Sequence, residues 1–231
     1  MKMEMAKKTD SENKRRRTLS ADRVLAEAVS LADESGIESL SMRKLGQALG
    51  VEAMSLYNHV ANKEEILDGI VDRVVGEIEI PSGETDWKTA MRQRAVSARK
   101  VFLRHPWVTT LIESRIKMSP VRVRYFDATI GALRAGGFSI ELAYHAFLTL
   151  DSYIYGFNLH EVSWQFEPEE RQDVAADLGS QVSAEEYPFI AEIMEFVLSP
   201  DNARDKAGYV AEFEFGLNLV LDGLEKLLEK E

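Results

Sequence analysis

Between Ser41 and Val60 the chain leaves room for two helices of about two turns each, joined by nothing longer than Gly50 and Val51. Ser41 can accept from the open N–H groups of a first turn. Met42, Leu45 and Leu49 then fall on one face at helical spacing, and Ala48 widens it. Gly50 follows the last apolar position, where a left-handed backbone costs glycine least. Glu52 stands near the start of the second helix, where negative charge suits the dipole. Leu56 and Val60 lie four apart and point inward, which leaves Ala53, Met54, Ser55, Tyr57 and Asn58 outward or sideways.

Two helices this short cannot cover their own inner faces, so longer neighbours must. Ser20 can cap a helix carrying Val24, Leu25, Ala28, Val29, Leu31 and Ala32, stopped by Gly36. Asn62 and Glu65 form a capping-box-like pair ahead of a stripe made of Ile66, Leu67, Ile70, Val71, Val74, Val75 and Ile78. A short helix exposing an aromatic, a hydroxyl and an amide is a poor core element. It suits the DNA major groove, which admits one helix and is read by hydrogen bonds and apolar contacts to thymine methyls.

Gly36-Ile37-Glu38, Arg43-Lys44-Leu45, Leu49-Gly50-Val51, Leu56-Tyr57-Asn58-His59-Val60 and Asn62-Lys63 together resemble the DNA-binding domain of the tetracycline-repressor (TetR) family over residues 18–70. Weaker likeness to that repressor's C-terminal domain continues in Gly137-Phe138-Ser139, Phe215-Gly216-Leu217 and Gly223-Leu224-Glu225-Lys226. The resemblance implies a homodimeric, ligand-responsive transcriptional regulator. It places Ser41, Arg43, Tyr57, His59 and Lys63 at phosphate-holding positions, and Met54, Ser55 and Asn58 at base-reading ones. Ala53 stands where the tetracycline repressor has an amide, which implies a different operator. Magnesium-dependent tetracycline binding in relatives uses a His and a Glu, whose places fall near Ile112 and at His160. The pair is not reproduced, so no metal or other cofactor is expected.

The net charge of −11 is unusual for a DNA binder until its distribution is followed. Residues 1–60 hold ten Lys/Arg against nine acids, and residues 1–20 seven against three. DNA affinity depends on charge that reaches phosphates, not on the total. The run Lys14-Arg15-Arg16-Arg17 reads either as a solvated terminus or as an arm adding phosphate or minor-groove contacts. Farther on, residues 87–124 carry ten Lys/Arg and one acid, while 125–231 carry six against 21. These halves can face each other across packed helices. Alternatively Arg99, Arg104 or Arg115 serves an anion.

An all-α chain is expected: a basic tail over 1–17, a three-helix reader with a helix-turn-helix over 18–66, and a larger helical ligand-binding and dimerisation domain over 67–231. After a break at Pro81–Asp86, helical patterns run over Trp87–Arg104, Trp107–Ile116 (helix or loop), Pro120–Ala135, Ser139–Ser163, Ser183–Leu198 and Asn202–Lys230, with a polar loop over 164–182. Val210, Phe213, Leu217, Val220, Leu221, Leu224, Leu227 and Leu228 give the last helix more apolar surface than one face of a peripheral helix needs. With the helix from Ser139 it can form a four-helix dimer bundle, with Leu217 and Leu221 at the contact, or it is plain internal core.

Phe102, Trp107, Leu111, Met118, Phe147 and Tyr155, with Met91 and Tyr144, can line an apolar pocket or simply fill core. Arg115 and Asp151 are its candidate polar groups; Asp151, Asn158 and His160 interrupt an otherwise apolar helix and read equally as satisfied or solvated side chains. The expected ligand is apolar or aromatic, with or without an anionic group.

No apolar run is long enough to cross a bilayer and no signal segment is visible, which points to the cytoplasm. Cysteine is absent, so thiolate chemistry and disulfides are excluded. With no phosphate-cradling glycine loop and no clustered histidines, enzymatic activity is not expected. A repressor released by a small molecule is the leading reading; an activator or a ligand-independent DNA-binding protein is the alternative.

Overall fold

The computed structural model describes residues 19–81, 85–115, 117–163, 183–198 and 206–230. The basic run at 14–17, most of the break after Pro81, and the polar loop at 164–182 lie outside the described residues. Among those described, every element is helical: α1 Ala21–Ser35, a single 3-10 turn Ile37–Ser39, α2 Met42–Leu49, α3 Ala53–Leu56, α4 Lys63–Val75, α5 Trp87–Arg104, α6 Val108–Ile112, α7 Pro120–Ala135, α8 Ile140–Ser163, α9 Pro188–Leu198 and α10 Lys206–Leu228. They form two compact units interleaved in sequence. One holds the residues up to Ile80 with Val96–Ala128; the other holds Pro81–Ala95 with Thr129 onward. Helices α5 and α7 each contribute residues to both.

In the first unit the helix ends are written by single side chains. Ser20 Oγ accepts from Arg23 N–H and Ser41 Oγ from Lys44 N–H, each at 3.3 Å. Asn62 Oδ1 accepts from Glu65 N–H at 2.9 Å, and Glu65 answers by accepting from Ala61 N–H at 2.5 Å, one residue earlier than a standard capping box. Gly50 closes α2 in the left-handed conformation at φ 70°. Gly46 has a separate reason to be glycine. A Cβ there would stand 2.9 Å from the Val51 carbonyl oxygen and 3.1 Å from Ala53 N, so α3 can approach α2 only over a bare backbone. That approach also corrects the expected inner face of α2: Leu45, Gly46 and Leu49 are buried, Met42 is half-buried and Ala48 is exposed. The buried stripe is turned toward Gly46, and Ala48 lies roughly a right angle from its centre.

Helices α1 and α4 supply the cover the short pair needs. Val24, Ala28 and Ala32 of α1, Leu56 and Val60 beyond α2, and Ile66, Ile70, Val71 and Val74 of α4 are all buried. Each of the Val, Leu and Ile side chains contributes about 1.5–3 kcal/mol through lost water contact, and the alanines less.

In the second unit α8 packs along α10. Tyr153 stacks on Phe213 at 5.5 Å between ring centroids, and its hydroxyl donates to the Phe213 carbonyl at 2.8 Å. Gly216 admits that ring, since a Cβ there would overlap the Tyr153 hydroxyl. The first turns of α5 are tied to α10 by charge. Lys88 Nζ lies 2.8 Å from Asp222 and 2.7 Å from Glu225, and Arg92 reaches Glu214 at 2.6 Å.

The expected pairing of a basic half with an acidic half is therefore met only in part. Arg104, Arg115 and Arg122 pair instead with acids at or beside α4: Glu77, Glu64, Asp68 and Asp72. The segment Ser183–Tyr187 is a turn and not the start of a helix; α9 begins at Pro188, whose fixed φ suits a first helical position.

Candidate functional site

The reading element is shorter than its sequence pattern. α3 is a single turn, Ala53–Leu56, followed by a tight turn in which His59 N–H donates to Leu56 O at 2.9 Å. Glu52 makes no side-chain cap, and the helix closes with i→i+3 bonds at Asn58 and His59. Leu56 and Val60 anchor this short piece in the core. The opposite side presents Met54, which is 75% exposed, together with exposed Tyr57 and Asn58; Ser55 and His59 are half-buried.

Around this ridge stand groups suited to phosphate. The Ser41 hydroxyl accepts in its cap and keeps its own proton to donate. Arg43, in the first turn of α2, and Lys63, first residue of α4, are exposed, and neither is ion-paired among the described residues. Lys63 also sits at the positive end of a 13-residue helix. The eight residues Ser41, Arg43, Met54, Ser55, Tyr57, Asn58, His59 and Lys63 thus lie on three consecutive helices of one unit, or on the cap and turn that adjoin them.

Behind the reader the structure holds a set of contacts the sequence did not announce. Asp33 of α1 accepts from Trp107 Nε1 at 2.7 Å, and His105 Nδ1 lies 2.8 Å from the same oxygen. His105 Nε2 lies 3.5 Å from Glu77, which also binds Arg104 at 2.6 Å. Burial pushes the Glu77 carboxyl up, but the Arg104 bond and the charge on His105 outweigh it and hold the group below the usual carboxylate range. Arg115 binds Glu64 at 2.5 Å and lies 3.5 Å from Asp68.

In this unit Phe102 and Trp107 are buried, Leu111 is half-buried and Met118 is exposed. Of the three arginines considered for an anion, Arg104 and Arg115 are engaged by carboxylates, and Arg99 is buried with a partner of its own.

The second unit brings together Phe147, Asp151 and Tyr155 of α8 with Arg94 of α5. Arg94 is 1% exposed, forms an ion pair with Asp151, and lies 5.3 Å over the Phe147 ring. The Tyr155 hydroxyl donates to the other Asp151 oxygen at 3.4 Å. Sequence reading missed Arg94. Its signal was there: a charged residue on the stripe of Met91, Ala95 and Ala98, all buried. Ile112 and His160 do not furnish the two metal-binding side chains of the tetracycline–magnesium site, since Ile112 is apolar. Among the described residues no three His, Cys, Asp or Glu groups are placed to hold a metal ion.

Comparison with known proteins bears on both units. Residues 24–70 match the family described as bacterial regulatory proteins, tetR family, and residues 80–228 match the tetracyclin repressor-like C-terminal domain. The HTH-type transcriptional repressor DrrR1 of Streptomyces coeruleorubidus is 31% identical over 222 residues, covering 91% of this chain and 79% of its own. The class A tetracycline repressor protein from transposon 1721, in Escherichia coli, is 28% identical over 90% of this chain and 91% of its own. Among solved structures, Streptomyces coelicolor ActR in complex with actinorhodin superposes with a TM-score of 0.73 at 28% identity, over 89% of this chain and 95% of that one. These relatives are transcriptional regulators, and no described helix is long and apolar enough to cross a membrane. On the match of its reader and of its C-terminal domain alike, the chain belongs to the TetR family of transcriptional regulators.

Proposed function

We propose that this protein is a repressor that binds a palindromic operator as a homodimer and leaves it when a small molecule binds. The observation that carries the reading is the exposed ridge of Met54, Tyr57 and Asn58 on a one-turn helix and the turn after it, flanked by Arg43 and Lys63 and anchored by Leu56 and Val60. Nothing in folding requires a 75%-exposed methionine and an exposed tyrosine there; a thymine methyl and a phosphate would each find a partner. Met54, Ser55 and Asn58 read bases in this scheme, and Ser41, Arg43, Tyr57, His59 and Lys63 hold the backbone.

Residues 18–66 do the reading and 67–231 the ligand binding and dimerisation, with the basic run at 14–17 a candidate arm. A homodimer is supported by a row of exposed apolar residues on α8, Ile140, Tyr144, Leu148 and Leu159, and another on α10, Phe215, Leu219 and Leu227. Surface of this kind on two neighbouring long helices calls for a partner. The polar cluster around Asp151, with Phe147 and Tyr155, is where a ligand acts in the second unit; Phe102, Trp107, Leu111, Arg115 and Met118 of the first unit are further candidates. That ActR binds actinorhodin supports an aromatic inducer here. The protein works in the cytoplasm, where its DNA is, as a binder and not as an enzyme.

Sequencing of duplexes selected by the purified protein from a random pool tests the reading. Enrichment of a near-palindrome with half-sites about 34 Å apart, one helical turn, is expected. Selection of unrelated sequences, or of single half-sites only, refutes it.

A further inference from the structure

The start of α4 carries a contradiction. Lys63 is exposed and stands where a phosphate is to be held, yet it is the one cation among residues 63–68, against Glu64, Glu65 and Asp68. Acids in a first turn suit the helix dipole, so folding alone accounts for Glu64 and Glu65. DNA does not welcome them. An uncovered carboxylate one residue from a phosphate contact stays within about a Debye length of that phosphate, ~10 Å at 0.1 M salt, and repels it.

The fold deals with the three acids in two ways. Glu65 turns back on the chain and accepts from Ala61 N–H at 2.5 Å. Glu64 and Asp68, one helical turn apart, share a cation: Arg115 Nη1 lies 2.5 Å from Glu64 and 3.5 Å from Asp68. Arg115 comes from the segment after α6, 51 residues from Glu64 in the chain. Its side chain is 15% exposed and that of Glu64 is 67% exposed. The guanidinium is thus covered, while the anion it neutralises stands at the surface beside Lys63. A pair with one partner this exposed adds little to stability, so folding alone gives weak reason for an arginine here. The other arginines along α4 differ. Arg122 pairs with Asp72 and Arg104 with Glu77, both about 13.5 Å or more along the axis from Lys63 and beyond a Debye length.

We infer that Arg115 sets the DNA affinity of the reader without touching DNA, by masking Glu64 and Asp68 beside the phosphate that Lys63 holds. The inference rests on the reading of Lys63 as a phosphate contact. It adds to that site a positioning residue from outside the helix-turn-helix.

Fluorescence anisotropy on the purified full chain tests it with a duplex of arbitrary sequence, because the phosphate part of the affinity is independent of sequence. Arg115→Gln should weaken binding about tenfold at low salt, and by less at about 200 mM, where the unmasked acids are screened. Adding Glu64→Gln should restore most of the loss. Arg115→Lys, which keeps the charge, should lose little. Wild-type affinity in Arg115→Gln overturns the inference. So does a loss that Glu64→Gln leaves in place or that Arg115→Lys shares in full, since the arginine then acts through the backbone it supports and not through charge. Should Arg115→Gln fail to fold, the triple variant with Glu64→Gln and Asp68→Asn carries no orphaned acid; it should bind as the wild type does, and a weaker grip overturns the inference. Lys63→Ala is measured alongside. If it binds as tightly as the wild type, the phosphate reading falls and takes the inference with it, a failure distinct from that of Arg115.

Discussion

Arg122 of α7 reaches Asp72 of α4, Nε to Oδ1 3.2 Å, as an ion pair not aligned as a hydrogen bond. The same guanidinium donates to the backbone carbonyls of Arg115, at 2.8 Å, and Lys117. Asp72 also accepts from the Ser119 hydroxyl at 2.7 Å. One buried cation therefore holds both the last turn of α4 and the loop before α7. Breaking a fully buried pair costs about 3–5 kcal/mol; Asp72 keeps about a fifth of its side chain in water, so Arg122→Gln should cost less, about 1–3 kcal/mol. Urea unfolding measures it. The double variant with Asp72→Asn should recover part of the loss, because the orphaned charge is gone. A midpoint unchanged by Arg122→Gln would show that the joint carries no energy.

Tyr57→Ala and Lys63→Ala should weaken binding to all duplexes about equally, and Lys63→Ala should also flatten the salt dependence by about one unit of slope. Changes at Met54, Ser55 or Asn58 should instead alter which sequence is preferred, by about 1–3 kcal/mol per lost base contact. Competition binding against selected and scrambled duplexes separates the two classes. Wild-type affinity in Tyr57→Ala would remove α3 from the groove.

The last helix gives a paired test. Leu217 and Leu221, expected at the dimer contact, are buried to 0% exposure against α8 within one chain, whereas Leu219 is 61% exposed. Leu217→Glu should therefore unfold the subunit, by several kcal/mol of unpaired buried charge. Leu219→Glu should leave helical content unchanged and split the dimer. Circular dichroism with light scattering reads both. A Leu219→Glu protein that stays dimeric at micromolar concentration points to an interface elsewhere.

That reversal shows where the sequence stops being legible. Periodicity finds that α10 has two apolar faces, but not which one turns inward; the choice depends on α8, some 60 residues away. Capping is local, so Ser20, Ser41, Asn62 and Gly50 could be read directly, and with them the reader and its exposed ridge. Arg94 could be read only as a charge on a buried stripe, and Asp33 not at all. Each draws its meaning from a partner distant in sequence, Asp151 and Trp107, and neither pattern nor propensity carries that information. The length of α3 escaped for another reason: its end is set by the tight turn at Tyr57–His59, which helical spacing alone does not register.

The Glu77–Arg104 pair makes stability depend on pH in a stated direction. With the Glu77 carboxyl held below its ordinary value of 4.5, the stabilisation is fully present above that value and fades as pH falls through the folded-state one. The stability gap between wild type and Arg104→Gln should thus be widest near pH 6 and shrink between about pH 5 and 3. Urea unfolding at both ends measures it. A gap constant with pH means that Arg104 contributes by packing alone.

We propose, finally, that induction runs through α5. Arg94 of that helix stands in the Asp151 cluster, and ten residues on, about 15 Å along the axis, Arg104 binds Glu77 just beyond α4. His105, next in the chain, meets Asp33 of α1. A ligand that moves the backbone at Arg94 would act on the same helix that ends at Arg104. Small displacements suffice, because losing the fit of one half-site loses the benefit of the second. To convert a mostly bound population into a mostly released one, the ligand must favour the released state by about 5.5 kcal/mol. Coupling is reciprocal, so operator DNA must weaken ligand binding by the same factor. Arg104→Gln, which cuts the far end of the lever, should bring the two ligand affinities closer together while leaving binding to the free protein nearly unchanged. Calorimetry of an identified inducer, with and without operator, for wild type and variant, decides it. Equal affinities in the two wild-type titrations reject inducer action, and an unaltered difference in the variant rejects α5 as its route.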